Sequence, residues 1–376
     1  MSMAPRNRVR FALVVAAVLA CGCGGFVSEA PNRLASGQPI VLWQAGGGIG
    51  WLLALIGAAL FVSSFMPARR STQLAALVLG LVALLAVIVG AGAIASQLMA
   101  TAPPATRIAL GWAFWAAAFC LAMIVVDALQ RLPAGNIARL AVAVLIAGAI
   151  AALALGGWFD HLSLAREYAA RRDEFGAELL RHCELVLVAV ALALAIGAPL
   201  GLLVARRGGA GPGIFATLNL LQTIPSVALF GLLIAPLSAL GLGGIGAAPA
   251  IIALVLYSLL PVVRNTQAGI VGVDPAIIDA ARGMGLTRAQ ILWRIELPLG
   301  LPVFLAGLRI VAVQAIGLTV VAALIGAGGL GSFVFQGIGQ YATDLVLLGA
   351  LPTILLALAA DFALALLAAL FERNGT

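Results

Sequence analysis

Long apolar runs follow one another along most of this chain, separated by short segments of arginine, proline and glycine. Ten of them approach the roughly 20 residues that carry a helix across about 30 Å of hydrocarbon. They cover 11–27, 47–66, 73–98, 107–128, 138–157, 184–205, 213–240, 247–270, 299–326 and 344–370. Breakers stand between them: Pro67, Pro103-Pro104, Pro133 with Gly135, Gly208-Gly209 and the glycine-rich Gly241–Gly246. A helix is the expected element in each run, because it satisfies its backbone polar groups internally. The pattern predicts an all-α, polytopic membrane protein of about ten transmembrane helices.

The runs divide into two kinds. Before about residue 157 they are Ala, Leu, Val and Gly with few polar residues, which predicts lipid-facing accessory helices over 1–157. After about residue 184, polar side chains recur inside the runs, marking 184–376 as the working half. Between them, 158–183 is expected to be an amphipathic segment on the outer surface. Its apolar face is Leu162, Leu164, Tyr168, Phe175, Leu179 and Leu180. At the start, Arg6, Arg8 and Arg10 precede the short run Phe11–Gly25, and Val18–Cys21 looks like a lipoprotein cleavage site. An uncleaved first helix is the expectation, because those arginines place the N-terminus inside and the remaining topology then closes.

Composition sharpens the class. Of 376 residues 63% are hydrophobic and only 9% charged, against about 25% charged in a soluble domain. Lysine is absent, so all 21 basic residues are arginine and the formal charge is +7. That excess fits cytoplasmic loops near anionic headgroups and excludes a nucleic-acid partner, since no basic patch interleaves with aromatics. Arginine counting places both termini in the cytoplasm. Four cysteines and two histidines lack any ligand spacing, so no metal site is expected.

The longest stretch that cannot sit in a bilayer is Val273–Pro298. Asp274-Pro275 is an N-cap acid followed by proline at the first helical position. Gly283 and Gly285 are expected to end that helix, and Thr287 with Gln290 forms a capping box for a second. From Asp279 the stretch reads Asp-Ala-Ala, three residues, Gly285, nine residues, then Ile295-x-Leu297-Pro298. This resembles the E-A-A-x3-G-x9-I-x-L-P loop of ABC-importer permeases, with aspartate in place of glutamate. The segments LQTIPSVALFGLLI and LIGAGGLGSFVFQGI are similar to permeases of osmoprotectant importers, as is the region from Leu185 to Phe371 as a whole.

The resemblance implies a MetI-like core of a type I importer. Its coupling residues would be Asp279, Ala280, Ala281, Gly285, Ile295, Leu297 and Pro298. It implies a cytoplasmic ATPase dimer, a second permease chain, and a periplasmic or lipid-anchored binding protein. ATP and magnesium would be used by the ATPase, with no cofactor on this chain, which has no Walker A sequence. The substrate would be a compatible solute such as glycine betaine or choline. An importer of another small solute, such as an amino acid, and an ion-coupled secondary carrier using Asp361 are the alternatives.

Gly326–Gly331 satisfies G-x-G-x-x-G but follows a membrane run rather than a strand, which rules out a dinucleotide fold. Candidate residues for a translocation path are Asn219, Gln222, Thr223 and Ser226, clustered around Pro225, together with Gln314 and Asp361. A charge in lipid is costly, so Asp361 should face protein or water. Pairing with Arg309 is one option.

Overall fold

The computed structural model describes residues 5–374 apart from 34, 46, 134, 208 and 210, and apart from the side chains of 136, 137 and 372–374. The expected breaker Gly208 therefore lies outside the described residues. The chain divides into two compact units, Met1–Ala170 and Arg171–Thr376. The first contains α1 (Arg8–Cys23), β1 (Gly25–Ala30), β2 (Gln38–Val41), α2 (Leu42–Ala45), α3 (Gly47–Ser63), α4 (Arg70–Met99), β3 (Arg107–Leu110), α5 (Trp112–Arg131), α6 (Asn136–Leu155) and α7 (Ser163–Ala170). The second contains α8 (Arg172–Arg206), α9 (Gly211–Thr223), α10 (Ser226–Ala239), α11 (Ala247–Val271), α12 (Pro275–Gly283) and α13 (Arg288–Ile291). A π-helical turn (Leu292–Glu296) then leads into α14 (Leu297–Ala322), a 3-10 turn (Ala323–Ile325), α15 (Gly331–Gly339) and α16 (Thr343–Asn374).

Among the described residues, seven helices are long and apolar enough to cross a membrane, or eight if α9 and α10 form one span. The count of ten is not reached, for local reasons. The run 11–27 ends as a helix at Cys23, and α1 and α3 have only 16 and 17 residues. The run 107–128 opens as a strand but still supplies a span, helical from Trp112 to Arg131. The run 213–240 is broken between Thr223 and Ser226, with its halves bent by 101°. Pro225 explains that break, since it has no N–H to give and disfavours a helical residue before it. Residues 158–183 fall into α7 and the first turns of α8, which continues unbroken to Arg206.

The first unit is not purely helical. Its three strands form an antiparallel sheet in the order β2-β1-β3, with Val27 opposite both Ile40 and Leu110. Phe26, Val27 and Ile108 are fully buried, and the Phe26 ring meets Phe114 edge-on at 5.8 Å. The sheet thus closes one end of a helical core in which Val14, Leu60, Val87 and Ile124 pack together.

The other end is polar, which the bland composition of this half concealed. Arg10 is completely buried. Its Nη1 donates to Ser63 Oγ at 3.3 Å, its Nη2 donates to Gln73 Oε1, and Asp127 Oδ2 lies 3.7 Å away. Asp127 also accepts from Asn7 Nδ2 at 2.7 Å and pairs with Arg131 Nε at 2.7 Å. Four helix ends, from α1, α3, α4 and α5, are joined here. The expectation of simple lipid-facing helices over 1–157 misses this centre. Asp127, an acid in an otherwise apolar run, was its available signal.

In the second unit α11 packs between α8 and α14, and α14 packs on α16. Side chains are omitted where helices approach closely. A Cβ on Gly300 would lie 2.6 Å from the Gly269 carbonyl oxygen, and one on Gly269 would lie 2.9 Å from that of Gly300. The backbones of α11 and α14 therefore touch at this point, which only glycine on both sides permits.

Candidate functional site

The polar stretch 273–298 folds as its caps dictate. Asp274 accepts from the Ala276 N–H at 2.9 Å, and Pro275 occupies the first turn of α12. At the other end, the Leu286 N–H reaches the Ala281 carbonyl at 3.1 Å and the Gly285 N–H reaches that of Arg282 at 2.9 Å. This is a Schellman closure, and it needs a left-handed residue, supplied by Gly285 at φ 81. Gly283 was expected to share that role but lies inside α12. Thr287 and Gln290 form the capping box in both directions, at 3.3 and 2.8 Å.

The loop residues present two surfaces. Asp279, Ala280, Gly285, Leu297 and Pro298 are exposed, Ile295 is half-buried, and Ala281 is fully buried. Ile277, Met284 and Trp293 add exposed apolar area, with Trp293 70% exposed. Asp279 pairs with Arg282 at 2.8 Å, both well exposed, so this ion pair adds little to stability. α12 thus offers small and apolar side chains outward while Ala281 seats it.

The π-helical turn follows from Pro298. Proline gives no N–H and its ring crowds the carbonyl four residues back, and the Leu297 N–H bonds five residues back to the Leu292 carbonyl. A π turn re-aims side chains within a helix. Here Trp293 points out, and the Glu296 carboxylate is buried against Arg206 at the end of α8.

The candidate path residues form two groups. Asn219, Gln222, Thr223 and Ser226 all lie at the α9–α10 break. Gln222 Nε2 donates to the Tyr257 carbonyl at 2.9 Å, and the Tyr257 hydroxyl donates to the Ile224 carbonyl that the break releases. Thr223 bonds back to the Leu220 carbonyl at 2.7 Å, and Asn219 accepts from Arg264 at 3.2 Å. Asp361 belongs to the second group. It is held by Arg309 in a fork, Nε to Oδ1 and Nη2 to Oδ2, both 2.9 Å. Gln314 is half-buried on α14, the helix that carries Arg309. Among the described residues, no hydrogen bond joins the two groups. Sequence reading missed Tyr257 and Arg206, whose partners lie 33 and 90 residues away.

The Gly326–Gly331 segment follows a helix and a 3-10 turn, with Gly326, Gly328 and Gly329 all at positive φ. It is fastened to α8. Glu178 accepts from the Gly329 N–H, and Arg181 Nε donates to the Ala327 carbonyl at 3.2 Å. No metal-binding cluster occurs among the described residues.

The described residues thus form a polytopic helical membrane protein whose longest polar loop is capped and exposed. A family model described as the N-terminal domain of the ABC transporter permease YehY matches residues 6–165. A second, described as the binding-protein-dependent transport system inner membrane component, matches 197–373. The carnitine transport permease protein OpuCB of Listeria monocytogenes is 42% identical over 184 residues, 49% of this chain and 82% of its own. The osmoprotectant import permease protein OsmW of Salmonella typhimurium is 44% identical over 184 residues, 49% of this chain and 85% of its own. The glycine betaine/carnitine/choline transport system permease protein OpuCD of Bacillus subtilis is 40% identical over 185 residues, 49% of this chain and 78% of its own. The chain belongs to the family of inner-membrane permease components of binding-protein-dependent ABC importers. It is a multi-pass membrane transport subunit and not an enzyme.

Proposed function

We infer that this permease carries compatible solutes, such as glycine betaine or choline, into the cell. The names of its relatives support that substrate class. In this reading two permease chains form the pathway, and each receives one subunit of a cytoplasmic ATPase dimer at its 273–298 loop. ATP and magnesium are used by that ATPase. A periplasmic or lipid-anchored binding protein delivers the solute. Both termini and the loop are cytoplasmic, 1–157 forms an accessory region, 158–183 lies on the periplasmic surface, and 184–376 forms the transport core.

The observation that carries the reading is the loop itself. Asp279, Ala280 and Gly285 lie exposed on a frame of two capped helices, with Leu297 and Pro298 exposed at the start of α14. A short apolar helix of this kind suits a groove on a soluble partner. Asn219, Gln222, Thr223, Ser226, Gln314 and Asp361 supply polar groups for a pathway. The ion-coupled alternative rests on Asp361 as a proton or sodium site, and that carboxylate is already engaged by Arg309.

Reconstitution tests the assignment. The chain with its ATPase and binding protein should accumulate radiolabelled glycine betaine only when ATP can be hydrolysed. Uptake by the permease alone under an ion gradient would overturn the reading, and ATP-driven uptake of an amino acid in place of glycine betaine would reassign the solute.

A further inference from the structure

Between the family's fixed positions Ile295 and Leu297 lies Glu296, which the loop pattern leaves unassigned. Its side chain is only 1% exposed. Arg206 Nη1 meets Oε1 at 2.9 Å and Nη2 meets Oε2, a two-pronged pair spanning 90 residues of chain. Arg206 is the last residue of α8, and Glu296 is the last residue of the π-helical turn. The pair therefore joins the far end of the first core helix to the point where the loop becomes α14.

Two neighbouring features give this pair a mechanical setting. On one side, α14 rests on α11 at the Gly269–Gly300 backbone contact, one turn beyond Glu296. There the two backbones meet at a single point with no side chain between them. On the other side, a groove of about 830 Å3 runs past Pro199, Thr266, Trp293, Glu296 and Phe304. The segment carrying Glu296 is thus braced at one point, open beside it, and tied to α8 by charge. A π turn, the least regular part of a helix, is where such a segment bends.

We propose that Arg206 and Glu296 are positioning residues that transmit displacement of the 273–298 loop to α8, with Gly269–Gly300 as the fulcrum. A push on the exposed loop turns the start of α14 about the glycine contact. Because the carboxylate is buried, its pairing with Arg206 must be kept, and α8 follows. Without the pair, the loop still docks, since Glu296 is not on its exposed face, but its movement is absorbed locally. The proposal rests on the reading that the loop receives the ATPase.

The test measures ATP hydrolysis and glycine betaine uptake together, using the full-length permease reconstituted with its ATPase and binding protein. Glu296→Gln and Arg206→Gln should retain the ATPase on purification and hydrolyse ATP, while solute imported per ATP falls at least fivefold. Arg206→Lys, which keeps charge but not the fork, should fall between these and the parent. The exchanged pair Arg206→Glu with Glu296→Arg should recover part of the lost ratio. A merely structural role would lower yield and melting temperature but leave the ratio unchanged. That outcome, or an exchanged pair no better than the single variants, overturns the proposal. If Gly285→Asp leaves ATPase retention and uptake intact, the loop reading itself has failed, and the two failures are thereby distinguished.

Discussion

The two units of this chain place their charges differently. In the first, Asn7, Arg10, Gln73 and Asp127 are buried together, each with a partner inside the unit. In the second, the long-range ion pairs are partly open. Arg206 is 44% exposed over a buried Glu296, and Arg309 and Asp361 are 35% and 42% exposed. A closed network fixes helix ends in one arrangement. A half-open pair within or beside a membrane helix has to face water or protein rather than lipid. The buried Arg10–Asp127 cluster thus braces helix ends, while the first unit's Arg33–Glu167 pair, half-open over a buried carboxylate, resembles Arg206–Glu296 of the second.

Removing the Asp127 carboxylate should have the largest effect on stability. Asp127→Ala leaves Arg10 buried without a counter-charge, a change that costs about 3–5 kcal/mol. Thermal unfolding in detergent should show a clear loss, with transport per folded complex little changed. If melting is unaltered, the contrast between this buried cluster and the half-open pairs fails.

Gly285→Asp should act in the opposite way. It places a side chain at φ 81, where most residues are strained, and adds charge to the docking face. ATPase co-purification and uptake should fall about tenfold or more while membrane insertion is kept. Asp279→Lys should weaken docking in the same direction but less.

A smaller loss is expected at the pair within the membrane helices. Asp361→Asn leaves Arg309 without its fork, so uptake should drop several-fold with ATPase retention unchanged. Loss of retention would instead make the pair a brace for the loop. Tyr257→Phe removes the hydroxyl that meets the Ile224 carbonyl at the α9–α10 break. A single neutral hydrogen bond is worth about 1 kcal/mol, so a modest fall in melting temperature is expected. Asp279→Glu, which restores the usual residue of the loop pattern, should change uptake least, within about twofold. The residue it alters is exposed and pairs with Arg282, three positions on.

Much of the candidate site could be read directly because its determinants are local. Asp274 with Pro275, Gly285, and Thr287 with Gln290 act over two to six residues, and caps of that range depend little on the rest of the fold. Span counting was less secure at the same scale. A helix of 16 or 17 residues and a proline that bends a span by 101° have nearly the same composition as a straight crossing.

The sequence by itself determined that this is a polytopic membrane protein, that its longest polar stretch would be a pair of capped helices, and that their spacing matches an importer loop. Only the tertiary structure decided who meets whom at long range: Asn7 with Asp127, Arg206 with Glu296, Arg309 with Asp361, and β1 with β3. The reason is geometric. An apolar run states that a helix enters the membrane, but not the depth or rotation at which it packs. Those two quantities choose the partner of every charge the helix carries.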